Sequence, residues 1–169
     1  LFNEAKIKKI IDKSIIADVR DKNRLYKEIR KSNANIVFHL AAQALVRESY
    51  IDPIKTFETN VMGTINILES IRKIKSIKSS VIITSDKVYD IKKNKIFKET
   101  DLLGGVDPYS ASKVCCEHAF NAFVHSFFDQ KRMCSVATAR AGNVIGGGDY
   151  SKDRLIPDII SAIKLKKKI

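Results

Sequence analysis

The chain has 169 residues, of which 44% are hydrophobic, so it can bury a sizeable core and has the usual length of one domain. Its 31 Lys and Arg against 19 Asp and Glu give a formal charge of +12, but most of the lysines are scattered singly and no aromatic residues are interleaved with them. That pattern argues against a nucleic-acid-binding face and favours a basic surface that attracts anionic nucleotides, and the apolar runs are too short for a membrane span.

Short apolar runs alternate with amphipathic segments in the first part of the chain. Lys13 to Asp18 is a β-branched run and Asn35 to Leu40 is nearly all apolar, and both predict buried strands. Between them, the spacing of apolar and charged residues over Asp21 to Lys31 predicts a surface helix. Asp18 or Asp21 is placed to cap its first turn.

The same alternation continues to the end of the chain. Apolar residues recur every three or four positions from Pro53 to Lys73 and predict a long helix, and Tyr109 to Phe128 predicts a second one. Ser80 to Thr84 and Met133 to Ala139 predict two more strands. Strands that alternate with helices of this length require crossover connections, so the predicted fold class is α/β, a doubly wound parallel sheet.

Ligands of doubly wound sheets bind outside the carboxyl ends of the strands, which directs attention to four segments. These are Asp18, Leu40 to Leu45, Thr84 to Lys87 and Arg140 to Gly148. The chain starts without Met and stops inside an apolar-basic pattern, so we expect a fold truncated at both ends.

Tyr109 and Lys113 form a Y-x-x-x-K pattern at the start of a predicted helix, where positions i and i+4 share a face. A phenol has an unperturbed pKa of about 10, and an adjacent ammonium lowers it by stabilising the phenolate. The pair can then take a proton from a sugar hydroxyl. The alternative is an exposed helical Lys beside a packed Tyr.

Ser85, Asp86 and Lys87 follow a predicted buried strand, at the sheet edge where the fold would bring them near Tyr109. A hydroxyl, a carboxyl and an amine so close together predict a proton-handling cluster. The alternative is an ordinary turn in which Asp86 bonds nearby backbone N–H groups.

Other candidate ligand-binding residues are ambiguous from the sequence alone. Ala41 and Ala42 either admit a flat ligand close to the backbone or are core alanines, and Asp18 either accepts a hydrogen bond from an adenine amino group or caps a helix. Arg154 follows a glycine cluster and either binds a pyrophosphate or forms an exposed ion pair.

The three cysteines, Cys115, Cys116 and Cys134, have no C-x-x-C spacing. This count and spacing indicate neither a disulfide framework nor a metal site, and they favour a reducing cytoplasm.

Several strings of this sequence resemble the extended short-chain dehydrogenase/reductases, over about Ile15 to Ile163. They are H-L-A-A-Q-A-L-V-R-E-S-Y, T-N-V-M-G-T, T-S-D-K-V-Y, D-P-Y-S-A-S-K and R-A-G-N-V-I-G-G-G-D-Y-S-K-D-R-L-I-P. At finer grain they look like the CDP-glucose 4,6-dehydratase family, in which enzyme-bound NAD takes hydride from sugar C4, water leaves across C5 and C6, and hydride returns to C6. The resemblance thus implies a cytoplasmic lyase with NAD as cofactor, a nucleotide sugar as substrate and a role in lipopolysaccharide O-antigen biosynthesis.

The resemblance also implies residue roles. Tyr109 would be the base for the C4 hydroxyl, and Lys113 would lower its pKa and hold the nicotinamide ribose. Ser85 would bond the C4 oxygen and Asp86 would protonate the departing hydroxyl. Lys87 would remove the C5 proton only if burial or neighbouring cations lowered its pKa, and the alternative is that it stabilises the enolate. The NAD site would further be lined by Asp18, Val19, Leu40, Ala41, Ala42, Gln43 and Asn60, and Asn143 and Arg154 would face the nucleotide sugar.

In that family a glycine-rich turn precedes this region and a substrate-binding lobe follows it, so residues 1–169 are expected to be a partial NAD-binding domain. The two long helices resemble those of a dimer interface, which predicts a homodimer at full length. The remaining alternatives are an epimerase or another dehydratase of the same fold, a non-catalytic NAD-binding protein, and a basic nucleic-acid binder.

Overall fold

A computed structural model describes residues 2–3, 5–90, 96–128, 134–151 and 153–168. The chain divides into two compact units, one spanning Ala17–Gly142 and the other formed by Leu1–Ile16 together with Asn143–Ile169. The larger unit holds a three-stranded parallel sheet of order β1-β2-β3, with β1 at Ile36–His39, β2 at Ser79–Ile83 and β3 at Ser135–Ala139. The predicted α/β fold with a parallel sheet is therefore confirmed.

Helices connect these strands in the order the sequence predicts. They are α1 (Lys22–Ser32), α2 (Val46–Ile51), α3 (Pro53–Phe57), α4 (Gly63–Lys73) and α5 (Pro108–Phe123). A π-helical turn at Glu58–Met62 joins α3 to α4, and a second one at Val124–Phe128 extends α5, so both long predicted helices are confirmed.

Aspartate caps set the starts of three helices. The Asp21 carboxylate accepts a hydrogen bond from Arg24 N at 3.0 Å at the start of α1, and Asp52 and Asp107 cap α3 and α5 in the same way. Pro follows the last two caps, where its missing N–H leaves no helical hydrogen bond unmade.

The core of this unit lies between one face of the sheet and helices α4 and α5. Its buried members are Ile67, Leu68, Ile71, Ile74, Ile77, Ile82, Phe120 and Phe128. Leu68 and Ile82 are completely buried, and truncating either to Ala would cost about 2–5 kcal/mol of unfolding free energy. This packing fixes α4 and α5 against β2, which is the strand that leads into the candidate site.

The predicted strand at Lys13 to Asp18 is wrong. No strand is present there, and the Ile16 side chain is 93% exposed. Apolar composition predicts burial, but a strand also needs a partner strand to bond with. In the sheet of the described residues β1 is the edge strand, so no strand pairs with it on its outer side. The second proposed role of Asp18 is also wrong, since Asp21 caps α1 instead.

The other predicted boundaries differ by one or two residues. The strand predicted from Met133 begins at Ser135, and Met133 itself lies outside the described residues. The short helix α2 and a 3₁₀ turn at Asp86–Val88 were not predicted, because each is too short to show an apolar period.

The smaller unit contains a 3₁₀ turn at Ile7–Lys9 and helix α6 at Leu155–Lys164. Within the described part of the chain, no helix has the length and apolar character that crossing a membrane requires.

Candidate active site

Tyr109 and Lys113 lie on the first two turns of α5. The helix start is fixed by Asp107, whose carboxylate accepts hydrogen bonds from the backbone N and the hydroxyl of Ser110 at 2.9 and 2.6 Å. Tyr109 N donates to Ser49 Oγ at 3.2 Å, which fastens the same turn to α2. Both candidate side chains are buried, so they face the interior of the unit.

Lys113 carries its charge into the protein interior. Its Nζ donates to the backbone oxygen of Ile83, the last residue of β2, at 3.3 Å. Burial lowers the pKa of this ammonium, because desolvation disfavours the charged form. This is the only hydrogen bond that Nζ makes among the described residues, and an ammonium has three donors, so the other two N–H groups are available to a ligand.

Ser85, Asp86 and Lys87 form a tight turn directly after β2. Ser85 Oγ accepts from Lys87 N and donates to Asp86 Oδ1, both at 3.2 Å. The Asp86 backbone N donates to Ala141 O at 3.0 Å, which ties the turn to the end of β3. Ser85 is buried, whereas Asp86 and Lys87 are exposed, so a ligand can reach both charged groups.

Helix α5 packs against this turn. Lys113 bonds Ile83, and Ser85 and Asp86 are the second and third residues after it. Lys113 and the hydroxyl-carboxyl turn therefore lie at the same end of β2.

Asn60 lies in the π-helical turn and is 1% exposed. Its side-chain amide accepts from Gln43 N at 2.8 Å and donates to Gln43 O at 3.1 Å and to Ser112 Oγ at 2.8 Å. Ser112 in turn donates to Tyr109 O at 2.7 Å. Asn60 thus holds the segment after β1 against the start of α5, and its amide is used by protein groups.

His39, the last residue of β1, is buried close to Lys113. One ring nitrogen lies 3.2 Å from Thr64 Oγ1, and Thr64 also contacts Cys116 Sγ at 3.4 Å. Desolvation, with a smaller repulsion from the Lys113 charge, lowers the pKa of His39 to about 4. His39 is therefore neutral at pH 7.

The segment at Asp18 and Val19 is anchored on α4. The Asn66 amide donates to the backbone oxygens of Val19 and Arg20 at 3.1 and 3.2 Å, and the Val19 side chain packs over Gly63, where any Cβ would come within 2.7 Å of it. Hydrogen bonds from Arg20 lower the pKa of the exposed Asp18 carboxyl to about 2, so Asp18 is ionised throughout the physiological range.

The sequence comparison places this arrangement in a family. The family model described as GDP-mannose 4,6 dehydratase matches residues 3–169. The chain belongs to that family. The description of the family is that of a nucleotide-sugar dehydratase.

Some relatives of this chain are dehydratases and others are epimerases. A CDP-glucose 4,6-dehydratase from Salmonella typhimurium is 44% identical over 100% of this chain and 48% of its own length. Among solved structures, a UDP-glucose 4-epimerase from Thermus thermophilus in complex with NAD is 28% identical, with a TM-score of 0.70 over 81% of this chain and 43% of that one. A UDP-N-acetylglucosamine 4-epimerase from Methanobrevibacter ruminantium is also 28% identical, with a TM-score of 0.78 over 91% and 48%.

These likenesses confirm the predicted doubly wound, Rossmann-like fold. The chain spans about half the length of the curated relatives it matches, for example 48% of the Salmonella protein.

The two predicted substrate residues of this family member lie in the smaller unit. Asn143 is exposed, and Arg154 immediately precedes α6. Within the described residues, Arg154 Nε is buried and has no hydrogen-bond partner, so it can donate to a ligand. Leu40 and Ala41 are exposed after β1, while Ala42 and Gln43 are half-buried.

Sequence reasoning missed the polar residues that support the site. Ser49 and Ser112 are buried and bonded to site elements, but serines on helices carry no distinctive pattern. Glu117 had a usable signal, because it follows Lys113 by four residues and shares its helix face.

Proposed function

We propose that the full-length protein is an NAD-dependent CDP-glucose 4,6-dehydratase, a hydro-lyase that converts CDP-D-glucose to CDP-4-keto-6-deoxy-D-glucose. The observation that carries the proposal is the bond from Lys113 to the last residue of β2, which joins the Tyr-Lys pair to the turn bearing Ser85 and Asp86. The 44% identity to the Salmonella CDP-glucose 4,6-dehydratase over the whole chain supports the choice of substrate.

The residues at the sheet edge fit NAD. Lys113 has two ammonium N–H groups available for ribose hydroxyls, and the methyl side chains of Ala41 and Ala42 leave the backbone after β1 open to a flat ring system. The exposed carboxylate of Asp18 is an acceptor for an adenine amino group. Bound there, NAD would accept hydride from C4 of the sugar and return it to C6.

Tyr109 removes the proton of the C4 hydroxyl. The ammonium of Lys113, one turn along the same helix face, stabilises the phenolate and so makes the phenol a stronger acid and its anion available near neutral pH. With the sugar bound, Ser85 Oγ turns its one proton from Asp86 Oδ1 to the C4 oxygen. Burial of Tyr109 and Lys113 keeps bulk water from screening this interaction.

Asp86 protonates the departing C6 hydroxyl. The C4 ketone acidifies the C5 proton, and its removal restores to the site the proton that Asp86 gives to the C6 hydroxyl, so that one molecule of water is released in all. The ammonium of Lys87, exposed beside Asp86, stabilises the enolate that forms. The resemblance to the family assigns Asn143 and Arg154 to the nucleotide sugar, and the Nε of Arg154, which is unpaired among the described residues, is a donor that suits a pyrophosphate oxygen.

We further infer that the enzyme is a cytoplasmic homodimer without nucleic-acid or membrane partners, and that its product is used in lipopolysaccharide O-antigen biosynthesis. These inferences rest on the resemblance to CDP-glucose 4,6-dehydratases and on the similarity to the Salmonella relative.

The test is turnover by the purified full-length protein with CDP-, dTDP-, GDP- and UDP-glucose, followed by mass spectrometry. We expect CDP-glucose to lose one water and gain a 4-keto group faster than the other three substrates. Preference for another nucleotide would contradict the substrate assignment, and absence of water loss from all four would contradict the reaction.

A second candidate is a nucleotide-sugar 4-epimerase, because two similar structures are 4-epimerases at 28% identity. Asp86 separates the two reactions, since an epimerase has no departing hydroxyl to protonate. An epimerase would convert CDP-glucose to an isomer of unchanged mass.

A further inference from the structure

Glu117 is a buried acidic residue to which the proposed reaction assigns no role. It follows Lys113 by one helical turn on α5, and its side chain is 1% exposed. Thr84 Oγ1 donates to one carboxylate oxygen at 2.5 Å, and Thr138 Oγ1 and Arg140 Nη2 donate to the other at 3.2 and 3.0 Å. The carboxylate is therefore held by three groups from the ends of two strands.

The hydrogen bond between Thr84 and Glu117 lies next to the residues proposed to act on the substrate. Thr84 immediately precedes Ser85 and Asp86, and Ile83 before it accepts the bond from Lys113. Helix α5 thus forms hydrogen bonds with two successive residues at the end of β2: Lys113 bonds Ile83, and Glu117 bonds Thr84. Backbone hydrogen bonds from Thr84 N to Ala139 O at 2.9 Å and from Asp86 N to Ala141 O at 3.0 Å tie the strand end to β3, and the two bonds from α5 set its position along the helix.

Arg140 extends the arrangement to a neighbouring segment. Its Nη1 donates to Glu99 O at 2.9 Å, and its guanidinium lies 5.0 Å from the centroid of the Tyr89 ring. The Tyr89 ring stacks on Phe97 with centroids 4.7 Å apart. The positive charge of Arg140 compensates the buried carboxylate, which would otherwise be costly to desolvate.

We infer that Glu117 and Thr84 are positioning residues: their bond holds Ser85 and Asp86 in register with Tyr109 and Lys113, so that the elimination step follows oxidation at C4. The inference rests on the proposed function, because register matters only if both groups act on one substrate. Thr138 provides the comparison, because its hydroxyl donates to the same carboxylate but Thr138 does not adjoin the turn that bears Ser85 and Asp86. A purely stabilising role of Glu117 would make the two bonds equivalent.

A matched pair of variants tests this in the full-length protein. Thr84→Val and Thr138→Val each remove one hydroxyl that is bonded to Glu117, and each keeps the shape of the side chain. We expect Thr84→Val to lower kcat by about 10-fold or more, because a displacement on the order of 1 Å at a reacting group has effects of up to about 100-fold. We expect Thr138→Val to lower kcat by less than about 3-fold, because its bond ends away from the turn.

Three further readouts separate positioning from stability. Thr84→Ser, which restores the hydroxyl, should recover most of kcat. Both Val variants should show similar falls in Tm and an unchanged KM. During turnover, Thr84→Val should accumulate the near-ultraviolet absorbance of reduced nicotinamide, because oxidation at C4 proceeds while elimination is slowed.

Equal kcat values for Thr84→Val and Thr138→Val, or failure of Thr84→Ser to recover activity, would overturn the positioning role. Failure of the proposed function is distinct, since the unsubstituted protein would then remove no water from CDP-glucose.

Discussion

Two neighbouring turns of α5 carry buried charges of opposite sign, and the two charges differ in how many hydrogen bonds the protein supplies to them. Around Glu117, three donors from Thr84, Thr138 and Arg140 satisfy the carboxylate. Around Lys113, the described residues supply a single acceptor, Ile83 O, and burial lowers the pKa of the ammonium. The carboxylate of Glu117, with all its partners inside the protein, stabilises the fold, whereas the unused donors of Lys113 are where we propose that a ligand binds.

Replacing Lys113 with Met gives the largest expected effect on activity. We expect turnover to fall by about 1,000-fold or more, because the phenolate of Tyr109 loses its stabilising charge. NAD affinity should also fall. Tm should hold or rise, since removing a buried, lowered-pKa ammonium relieves a desolvation cost. Kinetics, calorimetric NAD titration and thermal unfolding check these outcomes, and a large fall in Tm would show that Lys113 is chiefly structural.

Asp86→Asn is expected to lower dehydration by about 100-fold or more by removing the proton donor for the C6 hydroxyl. Because Asp86 is exposed, NAD binding and Tm should stay unchanged. Lys87→Met is the matched control on the same turn, and we expect it to have a smaller effect on kcat. Full dehydratase turnover by Asp86→Asn would contradict the role of this residue.

On the structural side of the comparison, Glu117→Gln should lower the free energy of unfolding by about 3–5 kcal/mol, because it leaves Arg140 half-buried without its counter-charge. The control is Glu69→Gln on α4, where Glu69 pairs with Arg72 and Lys73 at the surface and the expected loss is below about 1 kcal/mol. Denaturant unfolding measures both, and equal losses would remove the distinction between the two sites.

The smallest expected effect concerns pH and His39. Its pKa is about 4 in the folded protein and 6.5 in the unfolded chain, so between these values only the unfolded chain binds the proton. Stability is therefore fully present above pH 6.5 and falls as the pH drops towards 4, by up to about 3 kcal/mol. His39→Gln should flatten this part of the pH dependence of unfolding. An unchanged slope in the variant would show that His39 is not the titrating group.

Local patterns were enough to predict most of the fold. The apolar runs predicted β1 and β2 to within a residue, and the helices predicted to start at Pro53 and Tyr109 begin at Pro53 and Pro108. The predicted strand at Lys13 to Asp18 is wrong because pairing depends on a neighbouring strand, which no local pattern reveals.

The sequence predicted candidate residues where reactive side chains occur at a fixed spacing, as for Tyr109 and Lys113. It could not predict the hydrogen bonds between distant residues that hold the site residues in place. Asn60 was expected beside NAD by resemblance, and its amide proved to hold Gln43 and Ser112. Residues separated by 17 and 52 positions meet there, and only the folded chain brings them together.

The most direct test of the central claim follows a label through the reaction of the full-length protein. CDP-glucose carrying deuterium at C4 should give CDP-4-keto-6-deoxyglucose with deuterium at C6, because one enzyme molecule oxidises C4, eliminates water and returns the same hydride. A product without water loss, or a dehydrated product without deuterium at C6, would contradict the account.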